Sequence, residues 1–155
     1  MQPYHVRWAI ESDLLPLKVA ADANRDSIGF IMSARLQEAI RARRIFVAVA
    51  RDGRLIGFVI FRHRKADLQT TLSEICVNQE WRRQGVGCAL LKQLYEVCQI
   101  LNRSHILLRC PADSAANHFY KRLGFIQIGL ESGKRRPIIV WRLPISAKED
   151  SPSTP

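Results

Sequence analysis

Between Val77 and Ala89 the chain reads Val-Asn-Gln-Glu-Trp-Arg-Arg-Gln-Gly-Val-Gly-Cys-Ala. The stretch leaves a β-rich run and enters a helical period. Gly85 and Gly87 let the backbone pass close to a ligand. The first helical turn, from Val86 to Cys88, then presents backbone N–H groups with no helical acceptor, and the helix dipole adds positive potential. Such a turn is an anion site. Arg82 and Arg83 stand beside it, within reach of phosphate oxygens. A strand-to-helix turn eased by two glycines has the same appearance, so the pattern alone leaves both readings open. It is not a Walker A loop, because no Gly-Lys-Ser/Thr follows, and the third glycine of a dinucleotide fingerprint is missing.

Other reactive side chains point to less. Cys76, Cys88, Cys98 and Cys110 form no C-x-x-C pair and have no histidines at ligand spacing, so no structural metal is expected. They read as reduced thiols serving as small apolar residues, which places the chain in the cytoplasm. His63, His105 and His118 read as structural or surface groups. The first residues, MQPYHVRWAIESD, hold no apolar run of the secretion-signal kind.

The elements that position the turn follow from period and punctuation. Residues 4–10 alternate as a strand. Glu11-Ser12-Asp13 supply a cap and an acidic first turn for a helix to about Ala23. Asn24 to Ile31 reads as a loop or a short helical turn. Ser33 opens a helix ending near Arg44, with Leu36, Ala39 and Ile40 on one face. Ile45–Arg51 and Arg54–Arg62 flank Asp52-Gly53, a hairpin signal. Thr70–Val77 is a further strand. Val86, Leu90, Leu94, Val97 and Leu101 recur at helical spacing. His105–Cys110 is a buried strand, and a helix begins at Asp113-Ser114, carries Ala116, Phe119, Tyr120 and Leu123, and is closed by Gly124. Phe125–Leu130 and Ile138–Leu143 are strands. The order is β-α-α-β-β-β-α-β-α-β-β. It describes an α/β (α+β) fold with a mixed, mostly antiparallel sheet flanked by helices. The strand–helix–strand from 70 to 110 requires a parallel crossover.

The chain has 155 residues, 47% hydrophobic and 25% charged, a globular composition that excludes disorder for its bulk. No run approaches the ~20 apolar residues of a membrane span. The net charge of +10 is uneven. Residues 35–65 carry +7 and residues 82–142 carry +8, with −3 between them. Charge of this kind suits a phosphate-rich small molecule as well as nucleic acid.

Arg82-x-x-Gly85-x-Gly87 resembles the Gln/Arg-x-x-Gly-x-Gly/Ala motif of the GNAT acetyltransferase superfamily. Asn117-His-Phe-Tyr120-Lys-Arg-Leu-Gly124-Phe125, about thirty residues on, resembles a second segment of that family. The element order also matches, over residues 4 to about 143. Gln79 stands where the family usually has a proline. The resemblance implies an N-acetyltransferase of the 2.3.1 class, moving the acetyl group of acetyl-coenzyme A directly to an amine. It implies a pyrophosphate held by Arg82, Arg83, Gln84, Gly85, Val86, Gly87 and Cys88. Pantetheine would pair with the backbone of Cys76 and Val77, and Asn117 would hydrogen-bond the coenzyme. It also implies that Tyr120 protonates the departing thiolate. A phenol, with its pKa near ~10, is protonated at neutral pH. An alkylamine of pKa near ~10.4 arrives charged and must lose a proton. Glu74, in the strand before the loop, is the candidate base; a surface or ion-paired carboxylate is the alternative. Cys76 has no histidine placed to make it a nucleophile.

The resemblance places the acceptor against about Asn24–Ile31 and Glu131–Pro137. Asp26 and Glu131 would attract a cationic amine, and Ile28, Phe30 and Ile31 would form an apolar wall. Lys134, Arg135 and Arg136 would favour an acidic one. Small amine, amino acid, antibiotic, protein or peptide N-terminus and lysine stay open as acceptors. Two other readings stand beside the enzyme: a basic nucleic-acid-binding module and an acyl-coenzyme A-binding module without turnover. No metal and no membrane partner is expected, and the chain acts as monomer or homodimer. Residues 1–145 read as one domain and 146–155 as a disordered tail.

Overall fold

A computed structural model of the chain describes residues 3–148. Strands β1 (Tyr4–Trp8), β2 (Ile45–Ala50), β3 (Leu55–His63), β4 (Gln69–Val77), β5 (His105–Pro111), β6 (Ile126–Glu131) and β7 (Ile138–Pro144) alternate with helices. These are α1 (Leu14–Ala23), α2 (Arg25–Ile28), α3 (Ser33–Arg41), α4 (Val86–Ile100) and α5 (Ala116–Arg122). Hydrogen-bonded neighbours follow the order β1-β2-β3-β4-β5-β7-β6. The β1–β2, β2–β3, β5–β7 and β6–β7 ladders are antiparallel and the β4–β5 ladder is parallel, the mixed sheet expected from the element order. The chain divides into two compact units, one of residues up to 62 with 72–94, the other of 63–71 with those from 95 on.

In the first unit every residue of β2 is buried, because helices cover both faces of the sheet there. Leu17, Ala20 and Ala21 of α1 and Leu36, Ala39 and Ile40 of α3 close over Val47, Phe58 and Ile60 in one core cluster. On β3, a side chain at Gly57 would come within 2.9 Å of the Cys76 carbonyl and 3.3 Å of Val86. The glycine therefore lets the first turn of α4 sit directly on the strand. The Asp52-Gly53 hairpin forms as predicted, with Gly53 at φ +90° and the Asp52 carboxylate accepting from the Arg54 amide at 3.0 Å.

Entry into α1 differs from expectation. Residues Glu11–Asp13 form a 3-10 turn, and the α-helix starts at Leu14. Asp13 is buried and accepts from the Ile10 amide at 2.7 Å and from both Arg7 amino groups at 2.8 and 3.1 Å. Burial raises the pKa of this carboxyl, but the Arg7 fork and the Ile10 amide outweigh it and hold it below the ordinary value. A depressed folded pKa contributes stability above the unfolded value near ~3.9 and loses it as pH falls through the folded one. Asp13→Ala is expected to cost about 2–4 kcal/mol at neutral pH, since it strips three charge-assisted bonds. Melting curves check this: the gap between wild type and variant should close below about pH 4.

Asn24–Ile31 contains the single turn α2, ended by Gly29 at φ +77°. Helix α3 stops at Arg41 rather than Arg44. Arg43 takes φ +55°, and the Arg44 amide returns to the Ala39 carbonyl at 2.8 Å, a capping geometry usually given to glycine. Met32, not Ser33, is the N-cap residue of α3, and no side chain caps it.

Along α4 the buried stripe is Val86, Leu90, Leu91, Leu94 and Cys98. Leu101, placed on this stripe from sequence, is 51% exposed. The helix has ended by then, and Asn102 turns the chain at φ +54°. Cys98 takes the core position, as a small apolar residue.

In the second unit β4 pairs with β5 over Gln69–Thr71 against His105–Leu107. Arg103 ties the preceding loop by donating to the Arg64, Asp67 and Gln69 carbonyls at 2.9, 3.2 and 2.7 Å. The expected tail from 146 lies largely outside the described residues. Within them Ser146 is held by the Tyr95 hydroxyl and the Gln99 amide.

Candidate active site

The loop from β4 to α4 is built to expose amides. After Val77 a 3-10 turn, Gln79–Trp81, leads to Arg82 in extended conformation. Arg83 and Gly85 then take φ +63° and +82°. Any side chain at Gly85 would be strained at that φ. The Gly85 carbonyl accepts the Ala89 amide at 3.0 Å, the first α-helical bond of α4. The amides of Val86, Gly87 and Cys88 precede it and have no acceptor within the helix. Arg83, Gln84 and Cys88 are exposed around them. Tyr4 braces the loop by an edge contact with Trp81, 6.2 Å between ring centres.

Arg82 is turned to protein partners. Its Nε donates to the Val77 carbonyl at 3.1 Å and Nη2 to Asn24 Oδ1 at 3.0 Å. It ties the strand end to the end of α1. Gln84 likewise donates to the Glu80 carbonyl at 3.0 Å. Of the two arginines predicted to face phosphate, Arg83 alone has no hydrogen bond or ion pair among the described residues. Asn24 and Tyr4 are contributors that the sequence did not reveal, because no local pattern marks a contact across 58 or 77 residues.

Glu74 is half-buried on β4, and its Oε1 lies 3.7 Å from Arg35 Nη1. Burial pushes its carboxyl above the ordinary carboxylate range, and the Arg35 charge opposes this without cancelling it. A carboxylate of raised pKa is a stronger base. The ion-paired alternative is present, with Arg35 as the partner. Cys76 is buried, and burial pushes its thiol up to about 11, a poor nucleophile.

Asp26 lines a groove of about 800 Å³ with Asn24, Ser27, Arg54, Glu80 and Arg82. The predicted apolar wall is not formed. Ile31 is buried in the core, Ile28 packs against that core, and Phe30 alone stays exposed, with Lys18 Nζ and Arg25 Cζ at 4.1 and 4.5 Å from its ring centre.

The second unit holds the other predicted residues. Tyr120 is buried on α5, edge-on to Phe119 and Phe125 at 5.5 and 5.7 Å. Gly124, at φ +96°, ends this helix. Asn117 Nδ2 donates to the Pro111 and Ser114 carbonyls at 2.8 and 2.9 Å, and its Oδ1 accepts from Trp141 Nε1 at 2.8 Å. These bonds fix the start of α5, and Trp141 is a partner that sequence reasoning missed. Glu131 receives two bonds from Arg109, at 3.1 and 3.4 Å. His63 and His105 bond Thr70 and Gln69, as structural groups do.

The basic block at 35–65 is broken up by partners. Arg41 pairs with Glu11, Arg44 with Glu38 and Arg54 with Asp52, while Arg43 lies over Trp8. The described residues contain no group of three metal-ligating side chains and no helix long and apolar enough to cross a membrane. All four cysteines are free.

A family model for the acetyltransferase (GNAT) domain matches residues 41–127. A streptothricin acetyltransferase of Streptomyces lavendulae is 31% identical over 90 residues, 57% of this chain and 48% of that protein. The chain thus spans about half the length of this curated relative. Among solved structures, the ribosomal-protein-S18-alanine N-acetyltransferase of Escherichia coli aligns with a TM-score of 0.76 at 21% identity, covering 95% of this chain and 97% of that one. The PaiA N-acetyltransferase of Thermoplasma acidophilum, solved with coenzyme A, aligns at 0.75 and 17% identity over 90% and 98%. At these identities the two structures establish the fold.

Proposed function

This chain belongs to the GNAT acetyltransferase family, and on that premise we propose that it moves the acetyl group of acetyl-coenzyme A directly to an amine. Residues 1–145 act as one catalytic domain in this reading. The observation that carries it is the left-handed backbone at Arg83 and Gly85, which leaves three first-turn amides of α4 open to an anion. A solved relative of the same fold with coenzyme A supports the identity of that anion.

The roles follow from placement. The Val86, Gly87 and Cys88 amides hold the pyrophosphate, with Arg83 reaching its oxygens. Arg82 and Gln84 keep the loop in shape. Backbone groups of Cys76 and Val77 pair with pantetheine as an added strand would. Asn117 sets the start of α5 and so the position of Tyr120. Acetyl-coenzyme A supplies a carbonyl activated by its thioester. Glu74 takes the proton from the incoming ammonium, directly or through water. The freed nitrogen lone pair forms the C–N bond as the C–S bond breaks. Tyr120 gives its proton to the sulfur that leaves, and the second proton that the acylated nitrogen sheds returns to the Tyr120 oxygen, directly or through water. No metal is needed for this sequence of proton transfers. The four free cysteines suit a reducing cytoplasm.

Isothermal titration tests the coenzyme half of this reading. Acetyl-coenzyme A is expected to bind saturably at one site, and Gly85→Val is expected to weaken that binding at least about tenfold, since it displaces the amides. Absence of binding to the wild type overturns the reading.

A further inference from the structure

A second cavity, of about 470 Å³, opens between α3 and the sheet in the first unit. Its lining includes Arg35 and Glu38 of α3, Arg44 before β2, Ile60 and Arg62 of β3, and Ser73 of β4. Three guanidiniums thus meet one lining carboxylate. Glu38 is engaged by Arg44 Nη2 at 3.2 Å. Arg35 is engaged by Glu74 at 3.7 Å, just outside the lining. Arg62 is exposed and has no hydrogen bond or ion pair among the described residues. The cavity therefore keeps one uncompensated guanidinium, with Ser73, Ile60 and Ala39 beside it.

Its place matters as much as its charge. Ser73 is the neighbour of Glu74, and Arg35 touches both the cavity and the Glu74 carboxylate. A molecule presenting its amine to Glu74 would have its other end at this cavity. We propose that Arg35, Arg44 and Arg62 recognise an anionic group carried by the acceptor, so that the acceptor is an amine bearing a carboxylate or phosphate. The inference rests on Glu74 marking the amine's position. Guanidinium groups suit such oxyanions, since their paired N–H donors match the two oxygens.

Matched acceptors test this. Each pair is an amine with a free carboxylate and the same amine as its carboxamide, assayed by release of the coenzyme A thiol. The wild type is expected to favour the acid by about tenfold or more in kcat/KM, the scale of one charge-assisted contact. Arg62→Gln should bring the acid-to-amide ratio close to one, mainly through KM, and Arg62→Lys should restore most of it. Melting curves confirm that the variants fold. Inorganic phosphate should compete with the acid acceptor. A wild-type preference for the amide, or a ratio that Arg62→Gln leaves intact, overturns the proposal. Noncompetitive inhibition by phosphate also overturns it, by giving the cavity to a separate anion. If acetyl-coenzyme A binds but no acid is acetylated, the acceptor class is wrong and the family activity stands. If acetyl-coenzyme A does not bind, the activity itself is wrong.

Discussion

Replacing Tyr120 by phenylalanine is expected to lower kcat about 10²-fold while leaving acetyl-coenzyme A affinity nearly unchanged, the scale on which a positioned general acid acts. Tyr120 is 7% exposed and packs edge-on against Phe119 and Phe125, and a phenyl ring keeps both contacts. The hydroxyl is lost, and with it the phenolic proton. A thiolate leaving without it carries its full charge into the site. Steady-state rates with titration of the same variant separate the two effects. Unaltered kcat removes Tyr120 from proton transfer and leaves it a core residue.

Glu74→Gln is expected to cost about 10²–10³-fold in kcat/KM at neutral pH and to change the shape of the pH profile. The sign follows from the ionisation that the base needs. The proposed role needs Glu74 as carboxylate, a form that is lost as pH falls through its pKa. Burial has raised that pKa, and Arg35 at 3.7 Å opposes the rise without cancelling it. The acid limb of wild-type kcat/KM therefore lies above the range of an ordinary glutamate, near ~4.3. In the glutamine variant the limb should vanish. Arg35→Gln should move it further up, because the opposing charge is gone. A limb that survives in Glu74→Gln assigns the base elsewhere.

The sequence told most where the signal is local. The β4–α4 turn was readable because glycines, arginines and an apolar period meet within a dozen residues. The Asp52-Gly53 hairpin and the Gly124 helix end were readable for the same reason. Cysteine as a core residue was confirmed at Cys98, which completes the stripe of α4. Departures came where a distant partner decides. Asp13 ends a 3-10 turn, held by Arg7 and the Ile10 amide. Arg43 and Asn102 take left-handed turns that composition assigns to glycine. Ile31 left the predicted acceptor wall for the core. The site shows the same division. Residue types marked the Gly85 turn as an anion site, and the family resemblance added Glu74 and Tyr120 as candidates. Neither pointed to the contacts around them: that Arg82 would be spent on Asn24, that Arg35 would stand against Glu74, or that Trp141 would hold Asn117. Those contacts join residues 24 to 58 positions apart, and no periodicity encodes them.

Acetyl transfer itself is measured most directly by mass spectrometry of an amine acceptor incubated with the wild-type chain and acetyl-coenzyme A, with the coenzyme A thiol assayed in the same tube. One acetyl group is expected on the amine nitrogen for each thiol released, with release rising from a low background only when acceptor is present. Thiol release without acetylated amine, or none with any amine supplied, contradicts direct transfer by this chain.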